Sequence, residues 1–350
     1  MKIGFYDPYL DTLGGGEKYI FDLALCLSND NSVYIFWNDA SILQKAEERF
    51  GKKLNKISLV PNTFSKGASL FSKYRQTSKY DCIFYISDGS IPLLFAEKNI
   101  LIFQFPIPWI RKTWLSNLKL KNINNVICYS NFVKENIDKI LNVNSIVLPP
   151  LVEKISSKEK KQNLIVSVGR FTKGMNKKKQ EVLVEVFKEM VDDGLKNWKL
   201  VLIGSHLAGD LDFVESLIKQ SNEYPIEIHT NVKYDELRDV YAKSKIYWHG
   251  AGFGENLERS PQFAEHFGIT TVEAMSAGCV PAVFNAGGQK EIVTNEKNGI
   301  LWNTTVELKE KTKKLIDDEK LLNELSLNAR KSSEKFSGDN FCKEARDIVL

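Results

Sequence analysis

Short apolar runs alternate with longer amphipathic segments along almost the whole chain. The runs are rich in Ile, Val, Phe and Tyr, which favours strands, and the segments between them place apolar residues at helical spacing. The predicted strands are residues 2–6, 32–37, 56–60, 81–86, 99–104, 125–128, 145–148, 163–168, 198–203, 226–229, 245–248 and 279–284. The predicted helices are residues 16–28, 130–141, 178–193, 211–221, 234–243 and 305–330. Repeated β–α units of this size predict an α/β fold with parallel sheets and helices on both faces.

The length of the chain and one proline-containing segment predict two domains. The 350 residues suffice for two domains of ordinary size, each with its own core. Leu148-Pro149-Pro150, followed by the polar residues 156–161, is typical of a linker. We therefore predict one Rossmann-like domain over residues 1–150 and another over residues 151–337. In such open sheets ligands bind beyond the carboxyl ends of the strands, so the loops there are the candidate sites.

Residues 265–273 carry two carboxylates, Glu265 and Glu273, with a predicted helix start between them. Thr270 and Glu273 fit a capping box, which predicts a helix from near Thr270 to Gly278, with Glu265 in the preceding loop and Glu273 in the first turn. On a helix the two carboxylates would be about 12 Å apart. That spacing suits the two ends of an elongated ligand whose anionic middle lies on the helix start, such as a nucleotide sugar. The alternative is a capping residue and a surface charge.

Two further loops follow predicted strands and precede predicted helices. Gly14-Gly15-Gly16 lets backbone N–H groups approach a phosphate or a sugar, although it also suits a flexible turn. Arg170 and the lysines at 177–179 place cations at a helix start, which is unfavourable unless an anion is bound there. Arginine can bridge a diphosphate and lysine can add a point charge, but a solvated basic loop is the alternative. The glycine turn at 286–288 is interpreted as another ligand-binding loop.

The composition and the cysteine pattern predict a globular protein of the cytoplasm. No apolar run reaches the roughly 20 residues that a membrane span requires, and the first residues are typical of a strand rather than of a secretory signal. The five cysteines are scattered without a Cys-x-x-Cys pair, which favours reduced, buried thiols. The four histidines are well separated. We therefore expect no metal site.

Charge is unevenly distributed. Residues 1–150 contain 18 Lys and Arg against 13 Asp and Glu, whereas residues 151–350 contain 30 against 31. A basic first half indicates an anionic partner, either lipid headgroups or a phosphorylated acceptor, and we expect no nucleic acid.

Residues 106–121 lack acidic residues, and on a helix Ile110, Trp114 and Leu118 would share one face; this suits either an anionic membrane surface or core packing. Residues 66–79 are interpreted as a mobile, basic loop on the acceptor side.

With these motifs in place, the chain resembles the retaining family 4 glycosyltransferases. The resemblance is carried by Asp11-Thr12-Leu13-Gly14-Gly15-Gly16-Glu17, by Gly169-Arg170-Phe171, by residues 265–278 and by Gly287-Gly288-Gln289-Lys290-Glu291-Ile292-Val293. It is strongest to a bacterial subgroup related to the mannosyltransferases that extend lipid-linked oligosaccharides. The family implies the GT-B fold, in which two Rossmann-like domains with parallel sheets face each other across a cleft. It also implies a last helix, residues 338–350, that crosses back to the first domain.

The resemblance implies a role for each matching residue. Glu265 would contact the hydroxyls of the donor sugar, and Glu273 would hold the ribose. Arg170 and Lys178 would neutralise the leaving diphosphate. The backbone groups that would approach the donor belong to Gly15, Gly16, Phe267, Gly268, Ile269 and Thr270. Relatives commonly carry His-Phe-Pro where this chain has Gln104-Phe105-Pro106; Gln104 can hydrogen-bond an acceptor hydroxyl but cannot act as a base.

The sequence therefore predicts a retaining, metal-independent transferase without a cofactor. It would move a hexose from a UDP- or GDP-sugar to a glycan or a lipid-phosphate-linked acceptor in cell-surface polysaccharide assembly, working in the cytoplasm or peripherally on the inner face of the membrane. One alternative is a nucleotide-binding oxidoreductase, against which the missing dinucleotide fingerprint counts. The other is a non-catalytic sugar-nucleotide sensor or partner subunit.

Overall fold

A computed structural model describes residues 1–64, 67, 69–156, 159–174 and 177–349. The chain divides into two compact units: unit 1 comprises Met1–Leu151 and the chain from Gly338, and unit 2 comprises Val152–Ser337. The boundary predicted after residue 150 differs from this one by a single residue. Part of the predicted linker, residues 157 and 158, lies outside the described residues.

Unit 1 contains a seven-stranded, fully parallel sheet in the order β3-β2-β1-β4-β5-β6-β7. Its strands are β1 (Lys2–Tyr6), β2 (Ser32–Phe36), β3 (Ile57–Val60), β4 (Cys82–Ile86), β5 (Lys98–Phe103), β6 (Asn125–Cys128) and β7 (Ile146–Val147). The order reverses between β1 and β4, because the chain first builds outward from β1 to β3 and then continues from β4 on the other side. The predicted strands of this unit are confirmed, with ends shifted by a residue or two.

The helices of unit 1 cover the two faces of this sheet. They are α1 (Gly15–Leu27), α2 (Ile42–Phe50), α3 (Leu70–Thr77), α4 (Trp114–Leu120), α5 (Asn131–Leu141) and the C-terminal α13 (Gly338–Val349). The last helix packs on α1, where the rings of Tyr19 and Phe341 lie 5.4 Å apart edge to face. Lys98 Nζ donates to the carbonyl of Val349 at 2.6 Å. The last helix therefore belongs to unit 1.

Two predictions for unit 1 are wrong in detail. Residues 106–121 do not form one helix: α4 begins only at Trp114, after Thr113, whose hydroxyl accepts from Ser116 N–H. Ile110 therefore lies outside the helix and is buried in the core, because the nearby prolines disfavour helix before that point. The stretch predicted as a loop over residues 66–79 contains helix α3 over Leu70–Thr77, capped by Ser69, and Lys66 lies outside the described residues.

The expectation of reduced cysteines is wrong for Cys26 and Cys342, which form a disulfide. Packing of α13 on α1 brings their Cα atoms to 5.1 Å, within the range that a disulfide bridges. Sequence spacing hides this pair because 316 positions separate the two residues. The other three cysteines are buried free thiols, as predicted.

Unit 2 contains a six-stranded parallel sheet in the order β10-β9-β8-β11-β12-β13. Its strands are β8 (Gln162–Val168), β9 (Lys199–Gly204), β10 (Ile226–Thr230), β11 (Ser244–His249), β12 (Val280–Phe284) and β13 (Ile300–Trp302). Its helices are α6 (Gln180–Asp192), α7 (Leu211–Ser221), α8 (Tyr234–Lys243), α9 (Ile269–Ser276), α10 (Gln289–Ile292), α11 (Thr305–Asp317) and α12 (Glu319–Ser333). Side chains on both faces of the sheet are buried, as the continuous apolar runs predict.

Two features of unit 2 depart from the prediction. Strand β13 has only three residues, too few to give a pattern, and it was missed. The single helix predicted over residues 305–330 is two helices, because Asp318 leaves the helical conformation and caps α12 by accepting from the Leu321 N–H. Across the described residues, we find no helix with the length and apolarity needed to cross a membrane.

Candidate active site

Glu265 lies in unit 2 in the loop between β11 and α9, where it meets two nitrogen-bearing side chains. Lys178 Nζ is 2.7 Å from Glu265 Oε2, and His249 Nε2 is 2.9 Å from the same oxygen. Lys178 comes just before α6, and His249 is the last residue of β11 and is fully buried. Three separate segments thus place a cation, an imidazole and a carboxylate at one point.

The protonation state of this cluster follows from its hydrogen bonds. Burial opposes ionisation of Glu265, but Lys178 and the hydrogen bond from His249 hold the pKa of this carboxyl well below its usual range. Burial lowers the pKa of His249, so the ring is neutral at pH 7. Its Nδ1 accepts from the Ala251 N–H at 3.4 Å, and we therefore assign the proton to Nε2, which donates to Glu265. Glu265 is an anionic hydrogen-bond acceptor with a fixed orientation.

The loop after β8 carries Arg170 and leads to Lys178. Arg170 is exposed. Its backbone is fixed by the side-chain amide of Gln180, which donates to the carbonyls of Gly169 and Arg170 at 3.2 and 3.1 Å. A Cβ on Gly169 would lie 2.6 Å from Lys178 Cγ, so the glycine provides the space through which the lysine side chain passes. Arg170 and Lys178 are therefore positioned from the same short loop, whose residues 175 and 176 lie outside the described residues.

The three consecutive lysines have different environments, which the sequence could not distinguish. Lys178 pairs with Glu265, whereas Lys179 Nζ pairs with Glu255 at 2.7 Å. Lys177 and Lys179 both line a neighbouring cavity of about 460 Å³, together with Lys173. Lys178 is the member of the run that lies at the two-carboxylate motif.

The predicted capping box at Thr270 is wrong. Helix α9 begins at Ile269, after Gly268 with φ of 116°, a conformation open to glycine, so Thr270 and Glu273 are both inside the helix. The Thr270 hydroxyl instead bonds to Tyr247 Oη at 2.8 Å. Glu273 lies in the second turn rather than the first. The predicted helix end is confirmed, since Gly278 follows α9 with φ of 83°.

Glu273 is buried among tyrosines at the other end of this segment. It is 6% exposed, and Tyr241 Oη donates to its Oε2 at 3.3 Å. Burial and the charge of Glu273 raise the pKa of Tyr234, the first residue of α8. Tyr234 ends the stretch 231–234, which connects β10 to α8. That stretch therefore lies beside the carboxylate predicted to hold the ribose.

The loop between the two carboxylates is fixed by packing. The ring of Phe267 packs edge to face on Phe336, with centroids 5.1 Å apart. Gly288 N–H donates to the carbonyl of Glu265 at 2.8 Å, and a Cβ on Gly287 would lie 2.2 Å from that oxygen. The glycine turn at 286–288 thus packs against the Glu265 loop and fixes its position.

Unit 1 contains the remaining predicted residues. Gly15 is the first residue of α1, and Gly16 follows it. The amide of Gln104 donates to the carbonyl of Gly16 at 3.3 Å, and its Oε1 would lie 2.4 Å from a Cβ at that position. A side chain at position 16 would therefore displace the amide of Gln104. Gln104, at the carboxyl end of β5, is fixed on the glycine loop.

Sequence reasoning missed three residues that hydrogen-bond to the predicted site residues: His249 to Glu265, Gln180 to the backbone of Arg170, and Tyr241 to Glu273. Each is buried, and each occurs in a stretch that reads as ordinary core or helix surface. The one available signal was a polar side chain at the end of an apolar strand, which His249 provides. Within the described residues, no three His, Cys, Asp or Glu side chains are grouped so as to hold a metal ion.

Comparison with known proteins agrees with this geometry. Residues 150–332 match the family model described as glycosyl transferases group 1. A GDP-Man:Man(3)GlcNAc(2)-PP-Dol alpha-1,2-mannosyltransferase of Dictyostelium discoideum is 25% identical over 98% of this chain and 83% of its own length. An uncharacterised glycosyltransferase of Methanocaldococcus jannaschii is 27% identical over 65% of this chain, which spans only 59% of that relative. The crystal structure of Anabaena Alr3699/HepE in complex with UDP covers 100% of this chain and 99% of its own, with a TM-score of 0.76 at 18% identity.

These matches define the class: a glycosyltransferase with the two-domain GT-B fold. The chain belongs to the glycosyl transferases group 1 family, whose model covers more than half of it. This assignment replaces the oxidoreductase alternative.

Proposed function

We propose that the chain is a retaining, metal-independent hexosyltransferase that uses a UDP- or GDP-sugar and no cofactor. The acceptor is a hydroxyl of a glycan or of a lipid-phosphate-linked glycan, in the assembly of a cell-surface polysaccharide. The observation that carries the proposal is the Glu265–Lys178–His249 cluster, which precedes α9, with Glu273 buried within that helix. It provides an anion for sugar hydroxyls, a cation for phosphate and a second carboxylate for ribose, with the two carboxylates on one short segment.

In this proposal the chemistry is electrostatic. The bond between C1 of the sugar and the diphosphate oxygen breaks, and the acceptor oxygen bonds to C1 from the same face. The acceptor proton goes to the leaving phosphate. Arg170, Lys178 and the free N–H groups at the start of α9 stabilise the charge that develops on the diphosphate, which is the role of preorganised donors in such sites.

The comparisons support the substrate class without selecting the base. The relative from Dictyostelium is named for a GDP-Man donor and a lipid-linked glycan acceptor, whereas the solved Anabaena protein was crystallised with UDP. We therefore test both. A panel of UDP-, GDP-, ADP- and dTDP-sugars should contain one that raises the melting temperature, because a ligand that binds only the folded state stabilises it. Glu273→Gln should lose most of that shift; an unchanged shift would contradict the ribose role.

We also propose that unit 1 binds an anionic membrane surface from the cytoplasmic side. Phe71 and Tyr74 on α3 are 74% and 53% exposed, and Trp114 and Leu118 on α4 are 70% and 51% exposed. Lysines and arginines flank these side chains, and α3 and α4 contain no acidic residue. Exposed aromatic rings beside cations suit an interface with anionic lipid headgroups.

Vesicle co-sedimentation tests this surface. Binding to vesicles with 30 mol% phosphatidylglycerol should exceed binding to neutral vesicles, and Phe71→Ser with Trp114→Ser should reduce it. Equal sedimentation of the double variant, or of neutral and anionic vesicles, would contradict the proposal. Leu327→Ser, which removes an equally exposed leucine from unit 2, is the matched control.

A non-catalytic sugar-nucleotide sensor or partner subunit is the second candidate. It is favoured by Gln104, an amide that is engaged with Gly16 and cannot accept a proton at neutral pH. The two candidates differ in turnover. Release of UDP or GDP from a donor that binds, with either water or a glycan as acceptor, supports the transferase, whereas tight binding without release supports the sensor.

A further inference from the structure

Asp7 has a buried carboxyl group, and one of its two oxygens forms no hydrogen bond within the described residues. It follows β1 directly and is 1% exposed. Its Oδ1 accepts from the Tyr9 N–H at 2.9 Å, and its Oδ2 is buried without a hydrogen-bond partner in the part of the chain that the structure describes. A buried polar atom that is left unpaired is destabilising, so its presence calls for an explanation.

The position of Asp7 in the sheet is where a ligand is expected. β1 lies at the point where the strand order of unit 1 reverses, and ligands of open α/β sheets bind beyond the carboxyl ends of the strands at such points. Polar residues also follow the neighbouring strands: Asp88 comes after β4, Gln104 after β5 and Tyr129 after β6. Asp7 is the one of these four with a buried, unpaired oxygen.

The charges around Asp7 determine which ligand it suits. The nearest acidic group is Glu17, whose carboxylate accepts from Thr12 Oγ1 and Gly14 N–H. In the described residues no lysine or arginine pairs with Asp7 or Glu17, in contrast to the buried Asp22, which pairs with Lys18 and Lys52. Burial, reinforced by the charge of Glu17, raises the pKa of Asp7 to about 8. Below that pH the group is a neutral acid that both donates and accepts one hydrogen bond.

We propose that Asp7 binds the sugar acceptor, through a hydrogen bond between its free oxygen and a hydroxyl of a pyranose ring. A hydroxyl also donates and accepts, so it matches a neutral acid, whereas an anionic group would be repelled by Glu17. The ring of Tyr9 is 41% exposed and offers an apolar face for the pyranose beside this polar contact. The inference deepens the proposed transferase by naming a residue that selects its acceptor.

Access to the carboxyl requires only a local change. The loop after Asp7 is partly exposed, with Asp11, Thr12 and Gly15 at the surface, and it ends in three glycines. In this proposal the loop moves aside to admit the acceptor hydroxyl, which then supplies the missing partner of Oδ2.

Two substitutions of Asp7 separate recognition from folding. Asp7→Ala removes the hydrogen bond and should raise the KM for octyl α-D-mannopyranoside or octyl α-D-glucopyranoside at least ten-fold. Asp7→Asn preserves one donor and one acceptor and should keep that KM within about three-fold at pH 7. Stabilisation by UDP or GDP, which bind unit 2, should remain in both variants. Asp22→Asn, the matched buried aspartate, should lower stability and leave the acceptor KM unchanged.

The pH dependence of kcat/KM distinguishes acceptor binding by Asp7 from a purely structural role. For the wild type, kcat/KM for the octyl pyranoside should fall above pH 8, and in Asp7→Asn this alkaline decrease should be absent. The groups that interact electrostatically with Asp7 are Glu17 of α1, Asp11 and Tyr9 of the following loop, Tyr6 of β1 and Tyr129 after β6. The three tyrosines have pKa values above 10, mainly through burial, so they do not titrate near pH 8.

The possible outcomes are distinct. An unchanged KM in a folded Asp7→Ala, or an alkaline decrease that persists in Asp7→Asn, overturns the role of Asp7. A wild type that hydrolyses its donor but accepts neither octyl pyranoside also overturns it, because the site would not take a pyranose hydroxyl. A wild type that neither binds nor consumes any nucleotide sugar instead refutes the proposed function itself.

Discussion

At the level of single residues, the site depends on how Glu265 is held. One carboxylate oxygen receives both Lys178 and His249, so its charge is balanced and its direction fixed before any ligand arrives. His249 is buried and neutral, which limits it to orienting the carboxylate rather than exchanging protons at pH 7. Such support around a reacting group is what holds a site in its productive geometry.

Removal of the Lys178 charge should therefore impair transfer strongly. Lys178→Met removes the cation that we propose for the diphosphate and leaves the Glu265 charge without its lysine partner, so we expect kcat to fall by about 10²–10³, the range typical for loss of one stabilising donor. Lys179→Met is the matched control, because Lys179 pairs with Glu255 instead, and it should change kcat less than five-fold. Steady-state rates of nucleotide release provide the measurement; equal losses in both variants would contradict the assignment.

The buried carboxyl of Asp7 should make the folded protein less stable as pH rises. Its pKa is raised in the folded state from 3.8 to about 8, so the folded state binds the proton more tightly and the stability from this group is lost as pH rises through that window. Asp7→Asn removes this loss. The variant should exceed the wild type in free energy of unfolding by about 2–5 kcal/mol at pH 8, at roughly 1.4 kcal/mol per pKa unit, and by little at pH 4. Urea unfolding at both pH values measures this difference in stability. If the variant were less stable than the wild type at pH 8, the Asp7 carboxyl would not be unpaired as described.

At the level of elements, the loops are set by close backbone contacts at glycines. The Gly287 turn lies against the carbonyl of Glu265, and Gly287 has φ of 58°. Gly287→Ala adds a Cβ 2.2 Å from that oxygen, so the Glu265 loop must move. We expect a loss of at least about 10² in kcat/KM, since a displacement of about 1 Å can have that effect. Gly209→Ala, where a Cβ meets nothing within 4 Å, should retain activity; comparable activity of the two variants would refute the contact.

The C-terminal helix is fastened to unit 1 by a covalent bond. The Cys26–Cys342 disulfide joins α1 to α13, and breaking it should lower the free energy of unfolding of unit 1 by about 2–4 kcal/mol. Urea unfolding with and without dithiothreitol should show this decrease for the wild type. The Cys342→Ser variant should be insensitive to the reductant. A wild-type midpoint that does not respond to dithiothreitol would contradict the disulfide.

Sequence pattern predicts those elements whose signal is local. The strands of both sheets were found because buried parallel strands are continuous apolar runs, whereas the three-residue β13 is too short to show one. The start of α9 was misassigned because Thr270 and Glu273 have the spacing of a capping box but bond to Tyr247 and Tyr241 from other elements. Local chemistry and tertiary contact competed there, and the tertiary contacts determined the geometry.

At the level of the whole molecule, the two units have the same plan but different site residues. Motif spacing and the family resemblance predicted Glu265, Glu273, Arg170 and Lys178 as site residues, and the structure places Lys178 Nζ 2.7 Å from Glu265. Motif spacing did not identify His249 or Asp7, because a polar side chain at the end of an apolar strand does not by itself indicate a function. What distinguishes these two residues is visible only in the folded structure: both are buried, His249 lies 2.9 Å from Glu265, and Asp7 Oδ2 has no hydrogen-bond partner in the described residues.

The most direct test is the stereochemistry of transfer. A time course followed by proton NMR, with the UDP- or GDP-hexose that stabilises the protein and octyl α-D-mannopyranoside as acceptor, reports the anomeric configuration of the product. We expect an α-configured product from an α-configured donor, and a rate at least about 10² lower for Arg170→Ala, whose guanidinium would stabilise the leaving diphosphate. An inverted product, or undiminished transfer by Arg170→Ala, would contradict the account.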